Sequence, residues 1–274
     1  MTMTTFKSED WIGLTWTRQE QVTTHLVERF KATLAPHLAR AFEVPLGLHW
    51  CLVPDVLPHD ALGADGHPRL GQLLPDVGLP RRMWAGGELA FTQALRLGDV
   101  VDKISTIENV AFKSGKSGDL CFVTLRHLYN VAGEAAINER QDVVYREPST
   151  LTGDVSQAPA TPPPQDMLVQ ATPTLLFRYS ALTFNGHRIH YDYPYATKEE
   201  GYEGLVVHGP IQATLMLNLS AEKMQGLPQR FSYRGQKPLI CGRVFGVSAV
   251  LQNGAVEATV RDHTGAITMT ANAN

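Results

Sequence analysis

The stretch from residue 177 to residue 219 mixes ionisable and apolar side chains more densely than a solvated loop would. A polar cluster comes first, and the apolar run after it opens with His208-Gly209-Pro210. The members of the cluster are Asn185, His187, Arg188, His190 and Asp192. This order predicts a half-buried polar loop that leads into a buried helix, which is where a binding or catalytic site would lie.

His190 is the first candidate for proton transfer, because a neutral imidazole can take or give a proton at pH 7. A single histidine beside apolar residues is more often structural, but His190 follows Asn185 by five residues and precedes the predicted helix. Asn185 can hold a water molecule or a carbonyl group, and Asn-Gly is equally typical of a turn. Gly209 either exposes backbone N–H groups to an oxyanion at the helix N-terminus or only permits close packing.

A metal site is the weaker interpretation of the same residues. His187, His190, Asp192 and His208 are types that bind zinc or iron. His187 and His190 are three residues apart and converge only on a helical backbone, which Gly186 disfavours. We therefore expect no metal.

A basic run occupies residues 228–243 and contains no acidic residue. Its cations are Arg230, Arg234, Lys237 and Arg243. On a chain of net charge −3 this predicts a local positive patch that binds a phosphate-bearing ligand such as the nucleotide end of coenzyme A. The common alternative is a solvated edge strand.

Composition excludes several classes of protein. The net charge gives no general attraction to nucleic acid or to anionic membranes, and three widely spaced cysteines form no metal-binding or disulfide pattern. No apolar run is long enough to span a membrane, and the first residues lack the order of a signal peptide. These features favour a cytoplasmic globular protein of one or two domains.

The first half of the chain is predicted to form one helix followed by an antiparallel sheet. Apolar residues every four positions predict a helix from Arg18 to Leu38, with Asp10 or Thr17 as its N-cap. Residues 45–87 have turn chemistry and form a long irregular segment, which suggests function. Alternating and branched residues then predict four antiparallel strands, 88–95, 100–113, 120–130 and 135–145.

The second half repeats this order after a Pro-rich linker at residues 148–166. A strand is predicted near Leu175–Ser180, a buried helix at Pro210–Met224, and strands at 239–251, 256–262 and 266–273, with an Asn253-Gly254 hairpin turn. Element order thus predicts an α+β double hotdog, in which two antiparallel sheets are each wrapped on a central helix. Its units would be an N-terminal half at 1–147 and a C-terminal half at 167–274.

The motif TFNGHRIHYDYPYA…GYEGLVVHGP resembles the MaoC-like, type 2 hydroxyacyl-thioester dehydratase family. The family's catalytic Asp, its His five residues later and its His-Gly pair fall on Asn185, His190 and His208-Gly209. Further motifs, GADGHP, LPRRMWAGG and ERQDVVYRE, are similar to those of family members that hydrate mesaconyl-C4-CoA or itaconyl-CoA. The resemblance covers almost the whole chain, and the Asn at the Asp position leaves His190 as the obvious proton carrier.

The resemblance implies an enoyl-CoA hydratase whose C-terminal half is catalytic and whose degenerate N-terminal half covers the acyl group. It implies no redox or metal cofactor, an acyl-CoA substrate and a homodimer. For a substrate with a second carboxylate we expect a pocket cation, with Arg82 beside Trp84 as the first choice and Arg178 and Arg188 as the others. The alternatives are a dehydratase of fatty-acyl thioesters, a non-catalytic acyl-CoA-binding protein and a metal-dependent hydrolase.

Overall fold

A computed structural model of the protein describes residues 6–115, 118–147 and 165–274. The described chain forms ten antiparallel strands and three α-helices. The strands are β1 (Thr15–Gln21), β2 (Arg81–Phe91), β3 (Val100–Gly115), β4 (Gly118–Val131), β5 (Glu134–Arg146), β6 (Met167–Gln170), β7 (Arg230–Gly235), β8 (Val244–Gln252), β9 (Ala255–Arg261) and β10 (Ile267–Ala273). The helices are α1 (Thr24–Leu34), α2 (Pro173–Thr183) and α3 (Gly209–Met224).

The strands lie in the order β1-β3-β4-β5-β2-β7-β10-β9-β8-β6. From the centre outward, the strands follow the order β2-β5-β4-β3-β1 in the first half and β7-β10-β9-β8-β6 in the second. Both halves therefore place their second, fifth, fourth, third and first strands in that order, so the repeat of element order expected from the sequence is present in the sheet. The halves meet where β2 pairs with β7, with Gly86 opposite Arg234 and Ala90 opposite Arg230. The predicted pair of sheets is therefore joined edge to edge into one sheet.

Helix α3 is the central element of the second half. Every residue from Ile211 through Ala221 is buried, as its all-round apolar sequence predicts. Pro210 lies in its first turn, where a missing N–H is tolerated, and Gln225 ends it in the left-handed conformation. The helix packs on β7, β8, β9 and β10. Its N-terminus is thereby fixed against the sheet at the point where the polar loop arrives.

One predicted helix begins too early, and one predicted strand is wrong in type. The predicted helix is present as α1, but its expected first residues, 18–21, belong to β1 because they pair with β3 at the edge of the sheet. Helix α1 begins after Thr23, whose side chain accepts the Leu26 N–H, so Asp10 and Thr17 are not its caps. The strand expected near Leu175–Ser180 is helix α2, for which Thr172 is the N-cap and Pro173 the first residue.

Other predictions concern boundaries. Strand β2 begins at Arg81, inside the segment expected to be irregular, and β8 begins at Val244 rather than at residue 239. The hairpin turn at Asn253-Gly254 is confirmed, with both residues at positive φ. The Pro-rich linker falls almost entirely outside the described residues, so the division at 147 and 167 stays a prediction. No helix of the described residues is long and apolar enough to cross a membrane.

Candidate active site

The polar loop between α2 and α3 is held by its own side chains. Phe184 ends α2 in the left-handed conformation. The side-chain oxygen of Asn185 then accepts the His187 N–H at 2.9 Å, which is the turn role expected of an Asn-Gly pair. Two nitrogens of Arg188 donate to one Asp192 oxygen at 2.9 and 2.7 Å. These contacts fix the direction in which His187 and His190 project.

His190 is buried and has a defined tautomer. Its Nδ1 lies 2.7 Å from the Val206 carbonyl oxygen. Because a carbonyl only accepts, Nδ1 carries the hydrogen and Nε2 keeps a lone pair. Burial, partly opposed by the Val206 hydrogen bond, lowers the pKa of His190 to about 4. The ring is therefore neutral at pH 7 and able to accept a proton, and its role as the base stays a prediction.

His208 lies directly against His190. The two ring centroids are 3.6 Å apart, and the Ser180 hydroxyl is 2.9 Å from His208 Nε2. Burial, and then the charge that His190 would carry, hold the pKa of His208 well below its usual range. Its Nδ1 is buried without a hydrogen-bond partner among the described residues. His208 thus belongs to the site and has one polar atom available to a ligand.

The close packing predicted for Gly209 is present, and its oxyanion role stays a prediction. A Cβ at this position would lie 2.5 Å from the Trp84 ring, so the glycine permits close packing. Trp84 is itself stacked on Tyr233, with centroids 4.5 Å apart. The Gly209 N–H finds no acceptor in the described part of the chain, and it sits at the positive end of α3. It remains free to bind an oxyanion.

His187, His190 and His208 form a group of neighbouring rings, here called the histidine cluster. Two residues of the first half reach this cluster, and the sequence prediction did not assign them a role. Asp65 and His67 lie in the irregular segment, with Asp65 Oδ2 3.0 Å from His67 Nδ1. The His67 ring lies 4.1 Å from that of His187, which in turn stands at 89° to the His190 ring. The available signal was an acid and a histidine two residues apart in a long segment without regular structure.

Arg82 also comes to this site, on β2. Its side chain is 11% exposed, and its nearest carboxylate is that of Asp65, 3.7 Å from Nη2. Its Nη2 is buried and has no hydrogen-bond partner among the described residues. Tyr145 lies opposite Arg82 on β5, fully buried, and its hydroxyl also lacks a partner of hydrogen-bond geometry. Burial raises the pKa of Tyr145 to about 12, so the hydroxyl keeps its proton.

The other predicted cations lie elsewhere or are engaged. Arg188 binds Asp192 and the Ala64 carbonyl oxygen and stacks on Tyr195, so it serves the loop. Arg178 is exposed on α2 and donates to the Ala32 carbonyl oxygen of α1, apart from the histidines.

The first part of the basic run forms an interior strand of the sheet, not an edge strand. Strand β7 lies between β2 and β10, so the alternative of an edge strand is wrong. Arg234 is exposed on this strand and Lys237 is half-buried just beyond it, next to the junction with β2. Arg230 pairs with Glu88 at 3.1 Å. Arg234, Lys237 and the exposed Arg243 are thus the cations of the run that remain available to a phosphate, and the first two lie nearest to the junction with β2.

The metal-ligand set considered from the sequence does not assemble among the described residues, since Asp192 is held by Arg188. A different set does, because ligand atoms of Asp65, His67 and His187 lie within 4.8 Å of one another. The Arg82 guanidinium next to Asp65 opposes a divalent cation at that position. The same groups are suited to hydrogen bonding with a polar substrate.

Similarity to known proteins identifies the chain as a hotdog hydro-lyase, an enzyme that adds or removes water beside a thioester. Residues 47–241 match the hydroxyacyl-thioester dehydratase type 2 family, and the chain belongs to that family. It is 41% identical over 238 residues to mesaconyl-C(4)-CoA hydratase of Chloroflexus aurantiacus, with 84% of each chain covered.

Solved structures bear out the fold class. HtdX of Mycobacterium tuberculosis superposes with a TM-score of 0.71 at 20% identity, covering 95% of this chain and 99% of that one. A second protein of the same organism, described as a double hotdog fold, gives a TM-score of 0.55 at 12% identity, with 97% and 98% covered. The family expected from the sequence motifs and the double hotdog expected from element order are both confirmed.

Proposed function

We propose that this chain adds water across the double bond of a 2,3-enoyl-CoA whose acyl group carries a second carboxylate. The candidates are branched C5 dicarboxylyl thioesters such as mesaconyl-C4-CoA and itaconyl-CoA. A relative named for the first of these supports this choice. The observation that carries it is the mostly buried Arg82 guanidinium, whose Nη2 has no hydrogen-bond partner among the described residues.

A buried cation without hydrogen bonds costs several kcal/mol unless a ligand completes its contacts. Asp65 supplies part of the missing charge at 3.7 Å, but a bidentate pair with a substrate carboxylate would satisfy the guanidinium more fully. The partnerless Tyr145 hydroxyl, opposite Arg82, can donate to the same carboxylate. An acyl tail made only of hydrocarbon would leave both groups unsatisfied.

The chemistry of the substrate agrees with the position of Arg82. In a mesaconyl group attached to CoA through C4, the free carboxyl group is bonded to the β-carbon, where water adds. The cation that binds it must therefore lie near the groups that handle water. Arg82 meets this condition, because Asp65 connects it to His67 and the histidine cluster.

The reaction uses His190 as the base. Its Nε2 takes one proton from water while the water oxygen bonds to the β-carbon, and the electron pair of the double bond moves to the thioester oxygen. The Gly209 N–H donates to that oxygen, where charge develops in the transition state. His190 then returns the proton to the α-carbon, which restores the carbonyl group and the neutral imidazole.

Arg234 and Lys237 are proposed to hold the phosphates of CoA, since they are the cations of the basic run left available at the junction of β2 and β7. No redox or metal cofactor is proposed, because hydration changes no net oxidation state and the base is a side chain. The homodimer and the cytoplasmic location expected from the sequence stay predictions.

The second candidate is a dehydratase of fatty-acyl thioesters, which the description of the family favours. That function calls for a long apolar tunnel and no buried arginine at the acyl end, so Arg82 argues against it. The test is a turnover assay with mesaconyl-C4-CoA, itaconyl-CoA and crotonyl-CoA side by side. We expect kcat/KM to be highest for a dicarboxylyl thioester. A wild-type preference for crotonyl-CoA or for longer unbranched chains would reject the dicarboxylate assignment in favour of this second candidate.

A further inference from the structure

The loop formed by residues 63–68, here called the docking loop, is held against the polar loop of the second half. The Arg188 N–H donates to the Asp65 carbonyl oxygen at 2.9 Å, and Arg188 Nη1 donates to that of Ala64 at 3.0 Å. Gly66 and Gly186 approach so closely that a Cβ on either would collide with the carbonyl oxygen of the other. The docking loop therefore holds its side chains at a fixed position beside His187.

His67 in this loop is oriented by a carboxylate. Asp65 accepts from the His67 backbone N–H with one oxygen and contacts His67 Nδ1 with the other, each at 3.0 Å. Burial acts to raise the pKa of Asp65, but the hydrogen bond to His67 and the nearby Arg82 charge outweigh it and keep the pKa below its usual range. Because the carboxylate is ionised and accepts only, Nδ1 of His67 carries the hydrogen and Nε2 keeps a lone pair.

Attack by water has a requirement that His190 alone does not meet. Both hydrogens of the water molecule need acceptors, so that a lone pair of its oxygen can face the β-carbon. His190 Nε2 is one acceptor. Asn185 occupies the position where the family has a carboxylate, but its oxygen already accepts the His187 N–H and its NH2 group only donates. Asn185 therefore supplies no second acceptor, and no carboxylate or carbonyl oxygen of the described residues fixes the tautomer of the His187 or His208 ring, as Asp65 does for His67.

We propose that His67, held in place by Asp65, is the second acceptor for the attacking water, so that each half of the chain supplies one imidazole. The inference rests on the proposed hydration. In that step His67 Nε2 accepts one O–H of the water as a hydrogen bond, while His190 takes the other proton. The O–H bond to His190 breaks, the C–O bond forms, and the new hydroxyl group still donates to His67. His190 then protonates the α-carbon.

Asp65 has an electrostatic part in the same step. The described contacts of His190 are the Val206 carbonyl oxygen and the rings of His187 and His208, so no carboxylate touches it. The imidazolium formed on His190 is buried and needs a counter-charge nearby. Asp65, on the far side of His67 and His187, is the anion built into this cluster. His67 is thus a catalytic residue and Asp65 a positioning residue.

The test compares Asp65→Asn, His67→Ala and His67→Gln with the wild type. Asp65→Asn keeps the shape of the side chain but can donate to His67 Nδ1, which favours the wrong tautomer. We expect kcat to fall by roughly 10²-fold or more in Asp65→Asn and His67→Ala. The loss of kcat should be equal on crotonyl-CoA and on mesaconyl-C4-CoA, since both need the water. KM for crotonyl-CoA should be nearly unchanged in both variants, whereas Asp65→Asn also removes a charge beside Arg82 and should change KM for mesaconyl-C4-CoA. His67→Gln retains an acceptor oxygen and should recover part of the activity, as should Asp65→Glu.

Nitrogen-15 NMR of the histidine rings measures which ring nitrogen carries the proton. If Asp65 and His67 had only a structural role, this tautomer would not change in the variants. The wild type should show His67 protonated at Nδ1, and Asp65→Asn should show loss of that single tautomer. The matched control is Asp60→Asn, an exposed acid just ahead of the docking loop, which should leave kcat unchanged. Folded Asp65→Asn and His67→Ala variants with wild-type kcat would overturn this inference alone. A wild type inactive on every thioester would overturn the proposed function, and this inference with it.

Discussion

The ring of His190 lies face to face with the ring of His208, with an interplanar angle of 15°. Each ring is also tied to a different part of the fold, His190 to the Val206 carbonyl oxygen and His208 to the Ser180 hydroxyl. Stacking therefore fixes the plane of the base, and the hydrogen bond fixes its tautomer. A base held in this way needs little reorganisation when it meets water.

Replacing His190 should remove hydration and spare the fold. The variant of choice is His190→Gln, because its amide can still donate to the Val206 carbonyl oxygen and fill much of the space. We expect kcat to fall by roughly 10²- to 10⁴-fold, the range for a lost general base. Thermal unfolding should remain close to wild type, and exposed His59→Gln serves as the control. Near-normal turnover in folded His190→Gln would end the assignment of His190 as base.

Gly209 should tolerate no side chain. In Gly209→Ala the new methyl group would meet the Trp84 ring at 2.5 Å, so either the ring or the start of α3 has to shift. Displacing the Gly209 N–H should lower kcat by roughly 10²-fold, the usual effect of losing one oxyanion donor. The control is Gly226→Ala, just past the other end of α3, where an added methyl group meets nothing within 4 Å. Unchanged kcat in Gly209→Ala would exclude this amide as the oxyanion donor.

Arg82 should set specificity rather than chemistry. Arg82→Met keeps the length of the side chain and removes its charge, so kcat/KM for mesaconyl-C4-CoA or itaconyl-CoA should fall by at least roughly 10²-fold. Turnover of crotonyl-CoA, which has no second carboxylate, should change little. Tyr145→Phe should weaken the same preference to a smaller extent, since it removes one neutral donor. Parallel loss on all substrates in Arg82→Met would mean that the arginine is structural.

The basic run should act on the nucleotide end of the substrate. Replacing both Arg234 and Lys237 by Ala should raise KM for CoA thioesters and leave kcat nearly constant, because the phosphates are bound alike in the ground and transition states. A pantetheine thioester, which lacks the nucleotide, should respond much less. The control is Arg230→Ala, since that guanidinium already pairs with Glu88. An equal loss on both kinds of substrate would count against phosphate binding at this position.

Acid should destabilise the fold through its buried neutral histidines. Burial first, and for His67 also the Arg82 charge, lower the pKa of His67 and of His190 from 6.5 to about 4. Between those two values the unfolded chain binds more protons than the folded one, so the free energy of unfolding decreases as the pH falls. The slope is about 1.4 kcal/mol per pH unit for each histidine.

Urea unfolding across that pH range measures this slope. His67→Gln should flatten it, whereas His25→Gln, at an exposed position of α1, should not. A wild-type slope in His67→Gln would contradict a neutral His67 in the folded state.

The sequence by itself determined the elements whose signals are local. An apolar pattern on every face identifies α3 as buried, and Asn253-Gly254 specifies a hairpin because both residues accept positive φ. The run from Asn185 to His190 and the later His-Gly pair are contiguous motifs, so both the family and the candidate base could be predicted from them. Residues 18–21 and α2 were misassigned because pairing with β3 and the Thr172-Pro173 cap outweigh short apolar periods.

Only the tertiary structure decided which distant residues meet. The sequence does not show that β2 joins β7, that Gly66 abuts Gly186, or that the docking loop brings Asp65 and His67 to His187. Nor does it distinguish Arg82, whose Nη2 is buried without a partner among the described residues, from Arg188, which is engaged by Asp192. The physical reason is that a pKa and an unsatisfied hydrogen bond depend on burial and on neighbours, and these arise when the two halves pack together.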